Sequence, residues 1–132
     1  MATETNEQLN NLLKTIRTLR GDDGCPWDRK QTTNTLTRYL RLECEELIQA
    51  IANNDNENIC EEIGDIFYIL VMMSEISRDL GEFQFSDVIK GIDEKLIRRH
   101  PHVFAGTPYE NEADLAIQWE SIKAAEKKKN SV

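Results

Sequence analysis

No apolar run in the sequence approaches the roughly 18 residues that a membrane-spanning helix requires. Met1 to Leu9 is polar, without the apolar segment of a secretory signal. Membrane insertion and export are therefore not expected, and the cytoplasm is the expected location. Cysteine is scarce: Cys25, Cys44 and Cys60 are odd in number and form no C-x-x-C pair, which favours free thiols over disulfides or a zinc site. Positive charge is in deficit, with 16 Lys and Arg against 24 Asp and Glu and a formal charge of −8. That balance excludes polymeric nucleic acid as a partner, because DNA and RNA reward a net basic surface. Strand-like alternation is nowhere sustained, and there is no internal repeat.

What remains reads as helix. The 132 residues suit one domain over 1–132, with residues 1–5 and 127–132 frayed. Leu9, Leu12, Leu13, Ile16 and Leu19 share one face of a first helix from about Asn6 to Arg20, opened by Thr5 and Gln8 as a capping box. Two glycines and a proline then predict an irregular loop over Gly21 to Thr32 that presents Trp27, Asp28 and Lys30. A second helix is predicted from about Thr35 to Ala52, a turn at residues 53–56, and a third helix from Glu57 to Leu80, together an antiparallel hairpin. Gly81 is placed to cap the third. Ser86 and Asp87 open a fourth helix that Pro101 ends, and a last begins near Glu112.

The hairpin carries acids where apolar residues belong. At 100° per residue, Leu36, Leu40, Glu43, Leu47 and Ile51 fall in a stripe roughly 80° wide, with Glu46 at its edge and Glu45 turned away. On the third helix Ile59, Ile63, Ile66, Leu70 and Met73 form the predicted core stripe, flanked by Glu62 and Asp65, while Glu61 projects outward. Counting from the turn sets Glu46 level with Glu62, and Glu43 level with Asp65. Four carboxylates on a partly apolar seam repel and lose hydration unless protons or a cation compensate them. All-oxygen ligation suits Mg²⁺, with Mn²⁺ able to substitute, and no E-x-x-H pair points to di-iron.

The segments "CPWDRKQT", "LECEELIQAI", "EEIGDI" and "KLIRRHPHVF", in that order, resemble the MazG nucleoside triphosphate pyrophosphohydrolases. The likeness spans about Leu12 to Lys123 and is greatest to the N-terminal repeat of two-repeat bacterial members. It implies an all-α fold whose subunits pair into bundles. It also implies Mg²⁺ held by Glu43, Glu46, Glu62 and Asp65, and water attack on a nucleotide phosphorus with release of pyrophosphate. Two positions depart from the pattern. Leu42 stands where the first glutamate of E-E-x-x-E is common, which keeps a non-catalytic nucleotide-sensing dimer as the alternative. Asp93 replaces an asparagine that bears on nucleotide preference.

Glu43 and Glu46 are the candidates for deprotonating the attacking water. Lys95, Arg98 and Arg99 follow helical spacing and offer cations to the triphosphate, with Asp93 beside them. Trp27 is a candidate for stacking on the base and Lys30 for reaching a phosphate, whereas Tyr39, Trp119, His100 and His102 are expected to be structural. The run "IFYILVMM" from Ile66 to Met73 is apolar around its whole circumference. A homodimer or higher homo-oligomer is expected to cover it.

Overall fold

The computed structural model describes residues 2–130, and every regular element among them is an α-helix. In chain order these are α1 (Ala2–Leu19), α2 (Pro26–Lys30), α3 (Thr33–Ala52), α4 (Asn56–Asp79), α5 (Phe85–Arg99), α6 (Pro101–Phe104) and α7 (Glu112–Asn130). Among the described residues no helix is long and apolar enough to cross a membrane. The expected fraying at the ends falls partly on Met1, Ser131 and Val132, which lie outside the described residues; Ala2–Thr5 and residues 127–130 are helical.

The caps set the hairpin. Thr32 accepts a hydrogen bond from the Thr35 amide, and the Thr35 hydroxyl accepts one from the Thr32 amide, a reciprocal box that starts α3 at Thr33. Asp55 caps α4 through the Asn58 amide. Between the two helices Asn54 takes a positive φ of 53°, and the Asn54 and Asp55 amides bond back to the carbonyls of Ile51 and Ala50. Gly81 repeats the device at the end of α4, with φ 74° and amide bonds from Gly81 to Arg78 and from Glu82 to Ser77. As expected, Gly81 serves as that cap.

Two expectations change. Helix α1 begins at Ala2, so Thr5 lies inside it rather than at its cap. The segment expected to be irregular contains α2, because Pro26 sits in the first turn, where a missing N–H costs nothing and its fixed φ suits a helix. Gly24 makes the preceding turn possible: a Cβ there would collide with the carbonyl oxygens of Leu19 and Thr18.

The chain divides into two compact units, one ending at Phe85 and one starting at Ser86. In the first, α3 packs along α4 and α1 packs against it. Leu36, Ile69, Met72 and Ile76 form one core cluster, joined by Trp27, Tyr39, Leu40 and Tyr68; Ile16, Val71 and Phe85 form the other. The buried row on α4 is thus Ile69, Met72 and Ile76, whereas Ile63 and Leu70, placed in the core stripe by periodicity, are 54% and 45% exposed. The 66–73 segment is apolar on every side, so its sequence selects no face and the packing of α1 and α3 does. Glu75, also buried, is held by a two-point bond from Arg17 (3.0 and 3.2 Å) and by Arg78 at 3.4 Å.

Leu36 is fully buried at the centre of the first cluster. Leu36→Ala is expected to lower the unfolding free energy by about 3 kcal/mol. The readout is a lower urea midpoint at unchanged slope.

Candidate active site

The packing that buries Ile69, Met72 and Ile76 also aims the acids. Glu62 and Asp65 extend that same row toward the turn, all five residues lying within an arc of about 80° on α4. They therefore lie on the inward face itself, not on its flank. On α3, Glu43 continues the row of buried Leu36 and half-buried Leu40. The two rows meet: carboxylate oxygens of Glu43, Glu62 and Asp65, all half-buried, lie within 4.8 Å of one another. Glu46 is exposed and stands within hydrogen-bonding reach of Glu43. Glu43 thus sits against Glu62 as well as Asp65, a tighter grouping than two separate level pairs.

The electrostatics follow from that grouping. Glu43 Oε2 and Glu62 Oε2 are buried with no hydrogen-bond partner, and no Lys, Arg or His pairs with any of the four acids among the described residues. The Glu43 carboxyl is pushed up from 4.5 to about 8. The largest cause is the hydrogen bond it makes to Glu62 when protonated, followed by burial, then by the bond to Glu46 and the negative fields of Glu46 and Asp65. Two orphaned carboxylate oxygens, one of them on the proton-hungry Glu43, define a place that a proton or a hard cation completes, and an all-oxygen donor set fits Mg²⁺ or Mn²⁺. Leu42, 47% exposed, adds no charge.

Trp27 is half-buried against the first core cluster and meets Tyr39 edge to face, ring centroids 5.2 Å apart. The α2 segment is tied down behind it. Asp28, expected on an irregular loop, is buried and accepts a hydrogen bond from the Tyr68 hydroxyl, and Arg20 donates to the Asp28 carbonyl at 2.6 Å. Burial first, then the Asp28 contact, raises the Tyr68 hydroxyl well above its ordinary range. Gln31 donates to the Trp27 carbonyl and accepts from Thr35. A cavity of about 480 Å³ opens between α2 and the first turns of α3, lined by Trp27, Lys30, Asn34, Thr35, Arg38 and Tyr39 among others. Arg38 and Asn34 were not singled out in the sequence; no motif marks them, since the cavity exists only once α2 folds back.

In the second unit, Arg98 and Arg99 both bind Glu126: Arg98 Nε at 2.5 Å, Arg99 Nη2 at 2.8 Å. Arg99 and then Arg98 hold the Glu126 carboxyl down to about 2. Glu126, just before the segment expected to fray, is thus the anchor of this basic cluster. The Arg99 guanidinium lies 5.4 Å from the Trp119 ring centroid, and His100 packs edge-on against the same ring. Lys95 is half-buried and Asp93 exposed on α5.

Comparison with known proteins agrees with the resemblance. The family model described as the MazG nucleotide pyrophosphohydrolase domain matches residues 31–104, more than half of the chain. The chain is 48% identical over 112 residues to the uncharacterized protein YabN of Bacillus subtilis (strain 168), covering 85% of this chain and 23% of that protein. It is 46% identical over 118 residues to the nucleoside triphosphate pyrophosphohydrolase/pyrophosphatase MazG of Thermotoga maritima, covering 89% and 45%. The chain therefore spans less than half the length of these two relatives. The crystal structure of a mazG-related protein from Thermotoga maritima superposes with a TM-score of 0.71 at 33% identity, over 87% of this chain and 98% of that one. The acidic hairpin, the all-helical fold and the matched segment lead to one conclusion: the chain belongs to the MazG nucleotide pyrophosphohydrolase domain family.

Proposed function

We propose that this protein hydrolyses (deoxy)nucleoside triphosphates to the monophosphate and pyrophosphate in the cytoplasm, with Mg²⁺ as cofactor and Mn²⁺ able to replace it. The observation that carries this reading is the grouping of Glu43, Glu62 and Asp65 within 4.8 Å, two of them with orphaned buried oxygens. These three and Glu46 would hold the ion, which would supply neutralisation of the charge on the phosphate oxygens. Water adds at the α-phosphorus, the bond to the bridging oxygen breaks, and pyrophosphate leaves. Glu46, exposed at the edge of the group, is proposed to take the water's proton, with Glu43, which would give up its own proton to hold the ion, as the second candidate for that role. Trp27, Lys30, Asp93, Lys95, Arg98 and Arg99 are the residues proposed to meet the nucleotide. The name of the Thermotoga maritima relative supports the same reaction. A panel of triphosphates with Mg²⁺, assayed for pyrophosphate, tests it. Tight nucleotide binding with no pyrophosphate from any member would instead favour a nucleotide-sensing protein, the reading that exposed Leu42 supports.

The active form is proposed to be a homodimer. Ile48, Ile51, Ile63 and Leu70 leave an apolar face of the hairpin 45% to 65% exposed, and a second copy offers the same face for a shared bundle. Sedimentation at micromolar concentration is expected to show twice the mass of the chain. Ile63→Glu with Leu70→Glu is expected to shift it to monomer, and a wild-type monomer would refute the pairing.

A further inference from the structure

The cavity between α2 and α3 differs in charge from the rest of the molecule. In a chain of net charge −8 its lining includes Lys30 and Arg38 and no Asp or Glu. Both cations are exposed, and neither pairs with a carboxylate among the described residues. The nearby acid is already engaged, since Asp28 is buried and bonded to Tyr68. Leu42, one turn beyond Arg38, gives it no anionic neighbour. Arg38 instead lies over the Tyr39 ring, 5.5 Å from its centroid, which holds the guanidinium near the cavity.

The position matters as much as the charge. Of the lining residues on α3, Thr35 and Tyr39 fall within about 20° of Glu46 around the helix and Arg38 and Asn34 about 80° and 120° from it, so one edge of the cavity reaches the side of the helix that bears Glu46. Tyr39, from the same lining, precedes Glu43 by four residues, about 6 Å along the axis and about 40° around it, whereas Arg38 lies about 140° around the helix from Glu43 and borders the cavity from the side away from it. The floor is rigid: Gln31 is buried and bonded to both Trp27 and Thr35. Arg98 and Arg99, by contrast, share the Glu126 carboxylate.

We propose that this cavity is an anion subsite in which Lys30 and Arg38 hold the β- and γ-phosphates of the substrate, and then the pyrophosphate product. The proposal rests on the reading that hydrolysis occurs at the four acids, and it assigns direction: the polyphosphate tail points toward α2, the α-phosphorus toward Glu43. The probe is inorganic pyrophosphate with Mg²⁺, titrated calorimetrically into the full chain, so the readout needs no turnover. Lys30→Gln and Arg38→Gln, both at exposed positions and expected to melt as wild type, should each weaken pyrophosphate binding about tenfold and together about a hundredfold. Binding of a nucleoside monophosphate should change less than about twofold. Equal losses for monophosphate and pyrophosphate would overturn the direction, and pyrophosphate affinity unchanged in the double variant would overturn the subsite. No measurable pyrophosphate binding by wild type would overturn it as well. If pyrophosphate binding falls as expected but no triphosphate is hydrolysed, the hydrolase reading fails while the subsite stands.

Discussion

Asp65→Asn and Glu46→Gln are each expected to lower kcat by about three orders of magnitude while leaving the helical content intact. Each substitution keeps the shape of the side chain and removes one anionic donor. Asp65 is one of three carboxylates within 4.8 Å, so its loss breaks the densest part of the group. Glu46 lies outside that triple but within reach of Glu43, and its loss removes the exposed member best placed to accept a proton. Without added metal the Asp65→Asn protein is expected to be at least as stable as wild type, because a repelling charge has gone. Glu45→Gln, at an exposed position on the opposite side of α3, serves as the control and is expected to retain full turnover. Unchanged pyrophosphate release in both site variants would remove the acids from the chemistry.

In a melting experiment, the gain from Mg²⁺ is expected to grow steeply with pH. Glu43 has a folded-state value near 8 against an ordinary 4.5, so between those values the folded protein holds a proton that the unfolded chain has released. That stabilisation is complete below about 4.5 and is lost as the pH rises through about 8. With chelator present, Tm should therefore fall over this interval. Mg²⁺ relieves the same repulsion that the proton relieves, so its effect should be small at the acid end and largest at the alkaline end. There, at a hundredfold excess over Kd, a gain on the order of 8 °C is expected. Glu43→Gln cannot release the proton and should flatten the chelator curve; an equal Mg²⁺ shift at both ends of the range would contradict this account.

The hairpin was legible because its signals are local. Thr32 with Thr35, Asp55, Asn54 and Gly81 each act within a few residues, and the predicted helix limits lie within two residues of α3 and α4. Glu43 was legible because a carboxylate at an apolar position violates the period that neighbouring leucines establish, and Glu46, Glu62 and Asp65 only as acids beside the predicted stripes. The buried face of α4 was not, since a segment apolar on every side satisfies any rotation about its axis. Helix α2 was masked by a proline and two glycines that usually break helices, here placed before and at its first turn.

From the sequence alone come the helices, the acidic pairs, the net charge and the family likeness, all properties of residues within one or two helical turns or of the chain as a sum. Only the tertiary structure decided that Glu43 faces Glu62 as well as Asp65, that Tyr68 grips Asp28 across 40 positions, and that Glu126 occupies both arginines from 27 and 28 positions away. Such contacts depend on the rotation and register that core packing imposes on each helix. A shift of one residue turns a side chain by about 100°, and no local pattern encodes which partner it then meets.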